Sequence, residues 1–262
     1  MKNQPNKFSY DSNITIHLIK GDYMTYEQEA LQECVDWQHQ LMNKHATIFG
    51  RASKSVQNKI NEKIPQKVHD TVTIAMKGMI QSVLYGSDLA NRKALPSPLT
   101  FKEKELIIKE KLHSHTKTAT AGGIGTGFGG LWWGLADFPL LLSIKMKFLY
   151  DVAHTYGFDI HDMQERIYLL YIFQVAFSSD KKRVQTFLQL RNWPESINAY
   201  QSVHDIDWQT FQLEYRDHID LAKLLQLVPG FGAIVGGIAN YKFLHHLGET
   251  AINAYRMRLL DS

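Results

Sequence analysis

Apolar side chains recur every third or fourth position through most of the chain, which is the spacing of amphipathic α-helices. No stretch shows the sustained apolar–polar alternation between turn signals that is typical of a β-strand. The first 23 residues are polar and predict a loosely ordered leader, followed by one helical domain over residues 24–262. The predicted helices cover about 25–48, 51–63, 65–85, 101–119, 140–156, a stretch beginning at 159 or 162, 180–191, a stretch from 205 or 207 to 228, and 241–260.

Cap residues mark the ends of several of these helices. Thr25 followed by Gln28, and Thr100 followed by Glu103, have the spacing of a capping box, in which each side chain bonds the other residue's backbone amide. Gly157 follows an amphipathic run and predicts a helix end, because glycine adopts the left-handed conformation that often terminates helices.

The glycine-rich segment 118–136 interrupts this pattern, since it contains no charged residue and carries seven glycines. A second copy lies near the end of the chain: GFGGL at 127–131 corresponds to GFGAI at 230–234, and GLADF at 134–138 corresponds to GIANY at 237–241. The spacing between the two halves is the same in both copies. The sequence therefore predicts an internal pseudo-repeat of two glycine-rich segments.

Close contact between helices would explain so many glycines, because each one costs a helix about 1 kcal/mol relative to alanine. Glycines four residues apart share one helix face and let another backbone approach. We expect an all-α, multi-helix bundle in which the two glycine-rich segments are themselves helical, as close-packed helices or helix-turn-helix corners, and pack against each other at the centre. The predicted packing glycines are Gly123, Gly127, Gly130, Gly134, Gly232 and Gly236.

Composition narrows the location more than the function. The net charge is +3 and the pI is about 8.7, so the protein is mildly basic. This basicity suits an anionic membrane surface but is far weaker than that of a nucleic-acid-binding domain. The single cysteine, Cys34, has no disulfide partner within the chain, which favours a reducing compartment. No apolar run near the amino terminus is typical of a signal peptide. The prediction is a cytoplasmic protein.

Segment 118–136 is about as long as a membrane-spanning helix, but it contains helix breakers and is followed by Asp137. Three interpretations remain open: a span, a hairpin at one leaflet, and buried core helices. Trp132 and Trp133 suit a membrane interface or a partner contact, although paired tryptophans also occur in cores. Their exposure would separate these interpretations.

Candidate catalytic residues are few. Asp137 lies among apolar residues, and Asp151 with His154 stands three apart on one predicted helix, within hydrogen-bonding reach. GTGFGG at 125–130 fits a dinucleotide motif but follows a helix-like segment instead of a strand, so no nucleotide cofactor is expected. His113 with His115, and His245 with Glu249, do not form a recognised metal motif, and no metal is expected.

The chain resembles the EcsC family. The resemblance covers about residues 25–260 and is carried by Trp37 and its helix, KIP at 63–65, the glycine run 121–137, LADFPLLL at 135–142, YGFD at 156–159 and VPGFGA at 228–233. The family is named after a gene that neighbours an ABC transporter, so the resemblance implies a membrane context. It supplies no reaction and no catalytic residues.

The first hypothesis is a non-enzymatic accessory protein at the inner face of the cytoplasmic membrane, acting beside a membrane protein such as an ABC transporter. It rests on the two uncharged glycine-rich segments. One alternative is a hydrolase-like enzyme with Asp137, Asp151 and His154 in a cleft. The other is a helical protein-binding scaffold, which predicts an exposed apolar patch away from the glycine pair.

Overall fold

A computed structural model describes residues 24–43, 66–85, 94–96, 98–126, 138–178, 180–198 and 236–260. The fold class is all-α, as the apolar spacing predicts. The helices are α1 (Tyr26–Asn43), α2 (Gln66–Tyr85), α3 (Phe101–Thr126), α4 (Phe138–Tyr156), α5 (Met163–Phe177), α6 (Asp180–Arg191), α7 (Trp193–Asn198) and α8 (Gly236–Leu260). The leader and the helices predicted over 51–63 and 205–228 lie outside the described residues.

Both predicted capping boxes form. The Thr25 amide donates to Gln28 Oε1 at 2.8 Å, and the Gln28 amide donates to Thr25 Oγ1 at 3.3 Å. Thr100 and Glu103 repeat this pattern at the start of α3, with distances of 2.8 and 3.3 Å. Gly157 ends α4 with a φ of 101°, a conformation that side chains with a Cβ rarely adopt. These local signals were sufficient to locate the three helix ends.

α3 and α8 run continuously into the glycine-rich segments, which the glycine spacing predicts to be helical themselves. α3 continues to Thr126, seven residues beyond the predicted end at 119, and α8 begins at Gly236, five residues before the predicted start at 241. Adding a residue to an existing helix needs no new nucleation, so long helices tolerate glycines near their ends. The first glycine-rich segment is therefore helical up to Thr126, and the second is helical from Gly236 onward.

The core is centred on α4 and α5. Every residue of α5 from Glu165 to Phe177 is buried, so this helix has no solvent-facing stripe. Thirteen residues of α4 are also buried. Most of the buried apolar residues among those described form one cluster that draws on α1 to α8.

α3, α4 and α8 form a set of packed helices in which α3 runs antiparallel to the other two. Glu105 near the start of α3 bonds Arg256 near the end of α8, while Leu112 further along α3 lies 3.0 Å from the position of a Cβ on Gly248. α3 is antiparallel to α4 for the same reason. The Lys104 ammonium, near the start of α3, donates to the Tyr156 carbonyl at the end of α4, and the His115 ring, further along α3, contacts Phe148, which lies earlier in α4.

Candidate functional site

This antiparallel arrangement fixes where the glycine-rich segments join the bundle. Thr126 ends α3, Phe138 begins α4 and Gly236 begins α8. Because α3 runs antiparallel to α4 and α8, these three positions lie at the same end of the bundle. We call it the glycine end. Residues 127–137 connect two of them, and residues 230–235 lead into the third. Both glycine-rich segments are therefore attached at the glycine end.

Two large apolar side chains are exposed close to this end. Leu140, in the first turn of α4, is 58% exposed, and Tyr241, in the second turn of α8, is 48% exposed. The Tyr241 ring lies 4.2 Å from the ring of His245, one turn later on the same helix. Lys242 is exposed beside Tyr241. The glycine end thus combines apolar and cationic side chains that face solvent.

Most of the predicted packing and interface residues lie outside the described residues. Gly123 falls within α3, close to its end, and Gly236 is the first residue of α8. The predicted contact between the two glycine-rich segments stays a prediction. The remaining predicted residues outside the described ranges are Gly127, Gly130, Gly134, Gly232, Trp132, Trp133 and Asp137.

Asp151, a predicted catalytic candidate, forms a polar cluster with α3. One carboxylate oxygen lies 2.7 Å from His115 Nε2, and the other lies 3.5 Å from the Lys111 ammonium. The His115 ring also makes an edge contact with Phe148 at 5.8 Å. His154 is half-buried one turn beyond Asp151. The spacing of Asp151 and His154 within α4 identified this pair from the sequence. The hydrogen bond from Asp151 to His115 could not be found in this way, because it depends on the packing of α3 against α4.

Lys145 is an unexpected charged residue in the core. It is 1% exposed, and its Nζ lies 3.5 Å from the Leu141 carbonyl in the preceding turn. Burial lowers the pKa of this ammonium from 10.5 to about 7, because the charged form loses its hydration. Lys145 therefore lowers the stability of the folded state at any pH below 10.5, the pKa of an exposed lysine, either by burying the charge or by requiring its loss on folding.

A buried carboxylate, Glu105, joins α3 to three other helices, α1, α4 and α8, at the end opposite the glycine end. Arg256 Nε and Nη2 each donate to it at 2.7 Å, and the hydroxyls of Tyr26 and Tyr156 donate at 2.7 and 3.0 Å. Burial opposes its ionisation, but the hydrogen bonds from Arg256 and Tyr26 outweigh burial and hold the Glu105 pKa below its ordinary value. Arg256 Nη1 reaches outward to Glu33 at 2.7 Å.

A second buried carboxylate, Glu165, lies at the same end. It accepts hydrogen bonds from the Tyr255 hydroxyl and from Arg258 Nη1, the latter at 2.8 Å. Burial raises the Glu165 pKa in spite of the Arg258 charge. The Arg258 guanidinium also lies 4.0 Å from the Phe158 ring centre and 4.3 Å from that of Tyr168. These contacts fasten the end of α8 to the start of α5.

An open groove of about 600 Å³ runs between α1, α3 and α8. We call it the α1–α3–α8 groove. Its apolar floor is formed by Trp37, Leu112 and Ile252. Its polar rim includes Glu33, Asp36, Lys109, His113, His245 and Glu249.

The groove shows that His245 and Glu249 do share a helix face, as their spacing predicts, and that His113 lies across from them. The described residues nevertheless contain no group of three or more potential ligands placed to hold a metal ion. Glu33, Asp36 and Asn253 were not identified from the sequence. In the sequence these polar residues stand at helical spacing beside Trp37 and Ile252. A solvated helix face gives the same pattern, so the spacing did not mark them as groove residues.

Among the described helices, none combines the length and the apolar character that a membrane crossing requires. Taken together, the fold and the glycine end define a helical-bundle protein with two glycine-rich segments attached at one end. A model of the EcsC protein family matches residues 28–260, so the chain belongs to this family.

Two relatives from Bacillus subtilis (strain 168) extend this result. The chain is 47% identical to Protein EcsC over 237 residues, which cover 90% of this chain and 98% of that protein. It is 32% identical to Uncharacterized protein YdbA over 147 residues, which cover 55% of this chain and 54% of that protein. No solved structure gives a significant match to the chain.

Proposed function

We propose that the protein is a non-enzymatic accessory protein that binds peripherally to the inner face of the cytoplasmic membrane through its glycine end. The observation that carries the proposal is the common attachment point of both uncharged glycine-rich segments. A bundle that collects these segments at one end presents them together to one surface, whereas segments at opposite ends could not contact the same bilayer.

The exposed side chains support this orientation. Leu140 and Tyr241 expose large apolar groups at the glycine end, and Lys242 adds a positive charge beside them. Apolar area inserted at the headgroup boundary and cations near anionic lipids both favour binding. The opposite end contains the buried Glu105 and Glu165 clusters, whose contacts are satisfied within the protein. The two ends therefore have different roles in the proposal.

The test is sedimentation of the full chain with vesicles of phosphatidylglycerol and phosphatidylcholine, compared with vesicles of phosphatidylcholine alone. The wild-type chain should bind the anionic vesicles more strongly. The double variant Leu140→Glu, Tyr241→Glu should weaken binding by at least about tenfold, because burial of a large apolar side chain contributes about 1.5–3 kcal/mol and each side chain here is about half exposed.

A control variant introduces two glutamates in place of exposed apolar side chains at the other end. Leu106 in α3 is 50% exposed and Leu259 in α8 is 38% exposed. Leu106→Glu, Leu259→Glu changes the net charge equally, so it separates an orientation effect from a charge effect. Lack of vesicle binding by the wild-type chain, or an equal loss in both double variants, would contradict the proposal.

The second candidate function, a hydrolase-like enzyme, is favoured by one observation: the 2.7 Å contact between His115 and Asp151. A histidine oriented by a carboxylate is the general-base half of a catalytic triad. Asp151→Asn would preserve the side-chain shape and remove the charge. If ester or amide hydrolysis by the wild-type chain fell by orders of magnitude in this variant, enzymatic function would be supported; equal hydrolysis by both chains would exclude a role for Asp151.

A further inference from the structure

Lysines on two antiparallel helices lie at nearly the same height above the glycine end. Lys242 follows Gly236, the first residue of α8, by six residues, which is about 9 Å of helix. Leu112 of α3 packs against Gly248 of α8, about 18 Å from Gly236, and this contact fixes the register of the two helices. Lys117 stands five residues further along α3, toward the glycine end, so it is also about 10 Å above Gly236.

α6 brings a third lysine to this height. The ring of Phe177, the last residue of α5, lies 6.0 Å from the ring of Phe243 in α8. α6 begins three residues later at Asp180, so Lys182 in its first turn lies close to the same level. The charge of Asp180 is outnumbered, because three basic residues follow it directly. We call the side chains at this height the lysine collar, which consists of Lys117, Lys182 and Lys242.

The charges of the lysine collar are available to a partner. Lys117 and Lys242 are exposed, and Lys182 is half-buried. Within the described ranges, none of these three ammonium groups has an ion pair or a hydrogen bond. They differ in this respect from Lys111, one and a half turns before Lys117 in α3, which pairs with Asp151.

Between the lysine collar and the glycine end, the described helix ends carry no charge. Residues 118–126 of α3, 138–144 of α4 and 236–241 of α8 include no Asp, Glu, Lys or Arg. These uncharged ends are about 9–14 Å long. They expose the large apolar side chains of Leu140 and Tyr241. The nearest carboxylates on the same three helices stand on the far side of the collar, and they are Glu110, Asp151 and Glu249.

This order of uncharged ends and lysines matches the layers of a lipid leaflet. Helical backbone can enter the apolar layer because its hydrogen bonds are satisfied within the helix. A lysine remains at the headgroups, where its ammonium meets phosphate. Residues 118–144 contain a single charged residue, Asp137, which lies outside the described residues. Since a carboxylate is costly in hydrocarbon, insertion should stop near the boundary of headgroups and acyl chains, about 5–10 Å deep.

We propose that the glycine end inserts into one leaflet as far as the lysine collar, whose ammonium groups bind the phosphates of anionic phospholipids. This inference rests on the proposed membrane binding and adds the depth of insertion and the residues that contact the lipid headgroups. The height of the collar, about 10 Å above Gly236, equals the depth that an interfacial segment reaches.

The first experiment measures depth with a fluorophore on an introduced cysteine. Cys34 is fully buried, so Ser143→Cys in the exposed part of the uncharged α4 end provides the labelling site. The labelled full chain is mixed with vesicles of phosphatidylglycerol and phosphatidylcholine that carry nitroxide quenchers on the acyl chains or on the headgroups. Acyl-chain quenchers should reduce the fluorescence at position 143. A label at Leu106→Cys, at the opposite end of the bundle, should be unaffected by both quenchers.

The outcomes separate this inference from the proposed function. A chain that does not sediment with the vesicles at all would contradict membrane binding itself. A chain that sediments, but whose label at position 143 is reached only by headgroup quenchers or by neither, would leave membrane binding intact and overturn insertion.

The second experiment removes collar charges. Lys117→Gln, Lys242→Gln should weaken binding to the anionic vesicles by at least about tenfold, because each lysine near an anionic surface contributes about fivefold. Lys102→Gln, Lys109→Gln removes the same charge from two exposed lysines in the opposite half of α3 and should change binding by less than about twofold. Equal losses in the two double variants would show attraction to the net charge alone, and the collar would be rejected as the headgroup contact.

Discussion

The two carboxylates that bind Arg256 allow a controlled measurement of burial. Both lie 2.7 Å from guanidinium nitrogens, but the Glu105 side chain is 0% exposed and the Glu33 side chain is 70% exposed. Glu105→Gln and Glu33→Gln make the same nearly isosteric change to either partner. The distance, the arginine and the chemistry of the substitution are therefore matched, and the surroundings differ.

Glu105→Gln should lower the free energy of unfolding by about 3–5 kcal/mol, because removing the buried partner leaves the Arg256 charge with only the exposed Glu33 to compensate it. The two tyrosine hydroxyls would also lose a charged acceptor. Glu33→Gln should cost less than about 1 kcal/mol, since solvent screens an exposed pair. At about 2–4 °C per kcal/mol for a domain of this size, the difference is on the order of 10 °C in melting temperature.

Urea denaturation followed by circular dichroism would measure both variants, provided that their m-values equal that of the wild-type chain. The reasoning is wrong if Glu105→Gln lies within about 1 kcal/mol of the wild-type chain, or if Glu33→Gln costs as much as Glu105→Gln.

Acidification gives a second measurement on the same residue. The folded-state pKa of Glu105 lies below its ordinary value of 4.5, so the unfolded chain binds more protons at this site between the two values. Its contribution to stability is complete above pH 4.5 and is lost as the pH falls through the folded-state pKa. Glu105→Gln should therefore lose less stability than the wild-type chain over that range. Identical slopes would show that folding does not lower the pKa of Glu105.

The remaining predictions concern three other positions, each measured by denaturation. Lys145→Met should stabilise the protein at neutral pH, by up to about 5 kcal/mol if the pKa difference between 10.5 and about 7 is fully recovered, and this gain should shrink as the pH rises toward 10.5; an unchanged stability would contradict the buried ammonium. Gly78→Ala should stabilise by about 0.5–1 kcal/mol, because a Cβ there meets nothing within 4 Å. Gly157→Ala should destabilise by about 1–2 kcal/mol, because the φ of 101° disfavours a side chain; equal effects at the two glycines would refute the conformational argument.

Local chemistry explains which parts of the fold the sequence predicts well. The capping boxes at Thr25 and Thr100 each need only residues three positions apart, and the stop at Gly157 needs one. The helical character of the glycine-rich segments was expected from the four-residue spacing of their glycines, whereas the continuity of α3 and α8 into them was not. A residue added to an existing helix needs no new nucleation, so glycine is tolerated there better than its propensity alone indicates.

Charged residues in the core were not predictable in the same way. Glu105 follows Lys102, Glu103 and Lys104, and this run is typical of a solvated helix face. Its main partner, Arg256, is 151 residues away in the sequence. Lys145 likewise resembles an ordinary surface lysine until its helix is packed. Asp151 was identified as a candidate, but its bond to His115 spans 36 residues and depends on α3 lying against α4.

The bundle is polarised along its length, and this polarity has a consequence for the membrane proposal. Glu105, Arg256, Glu165 and Arg258 secure the starts of α3 and α5 to the end of α8, while the glycine-rich segments join at the opposite end. Stability and membrane binding should therefore separate by position. Glu105→Gln should lower the melting temperature and leave vesicle binding of the folded chain intact, whereas Leu140→Glu with Tyr241→Glu should do the reverse. If each variant changed both the melting temperature and vesicle binding, the membrane contact would be distributed over the whole bundle. The glycine end would then not be the membrane-binding site.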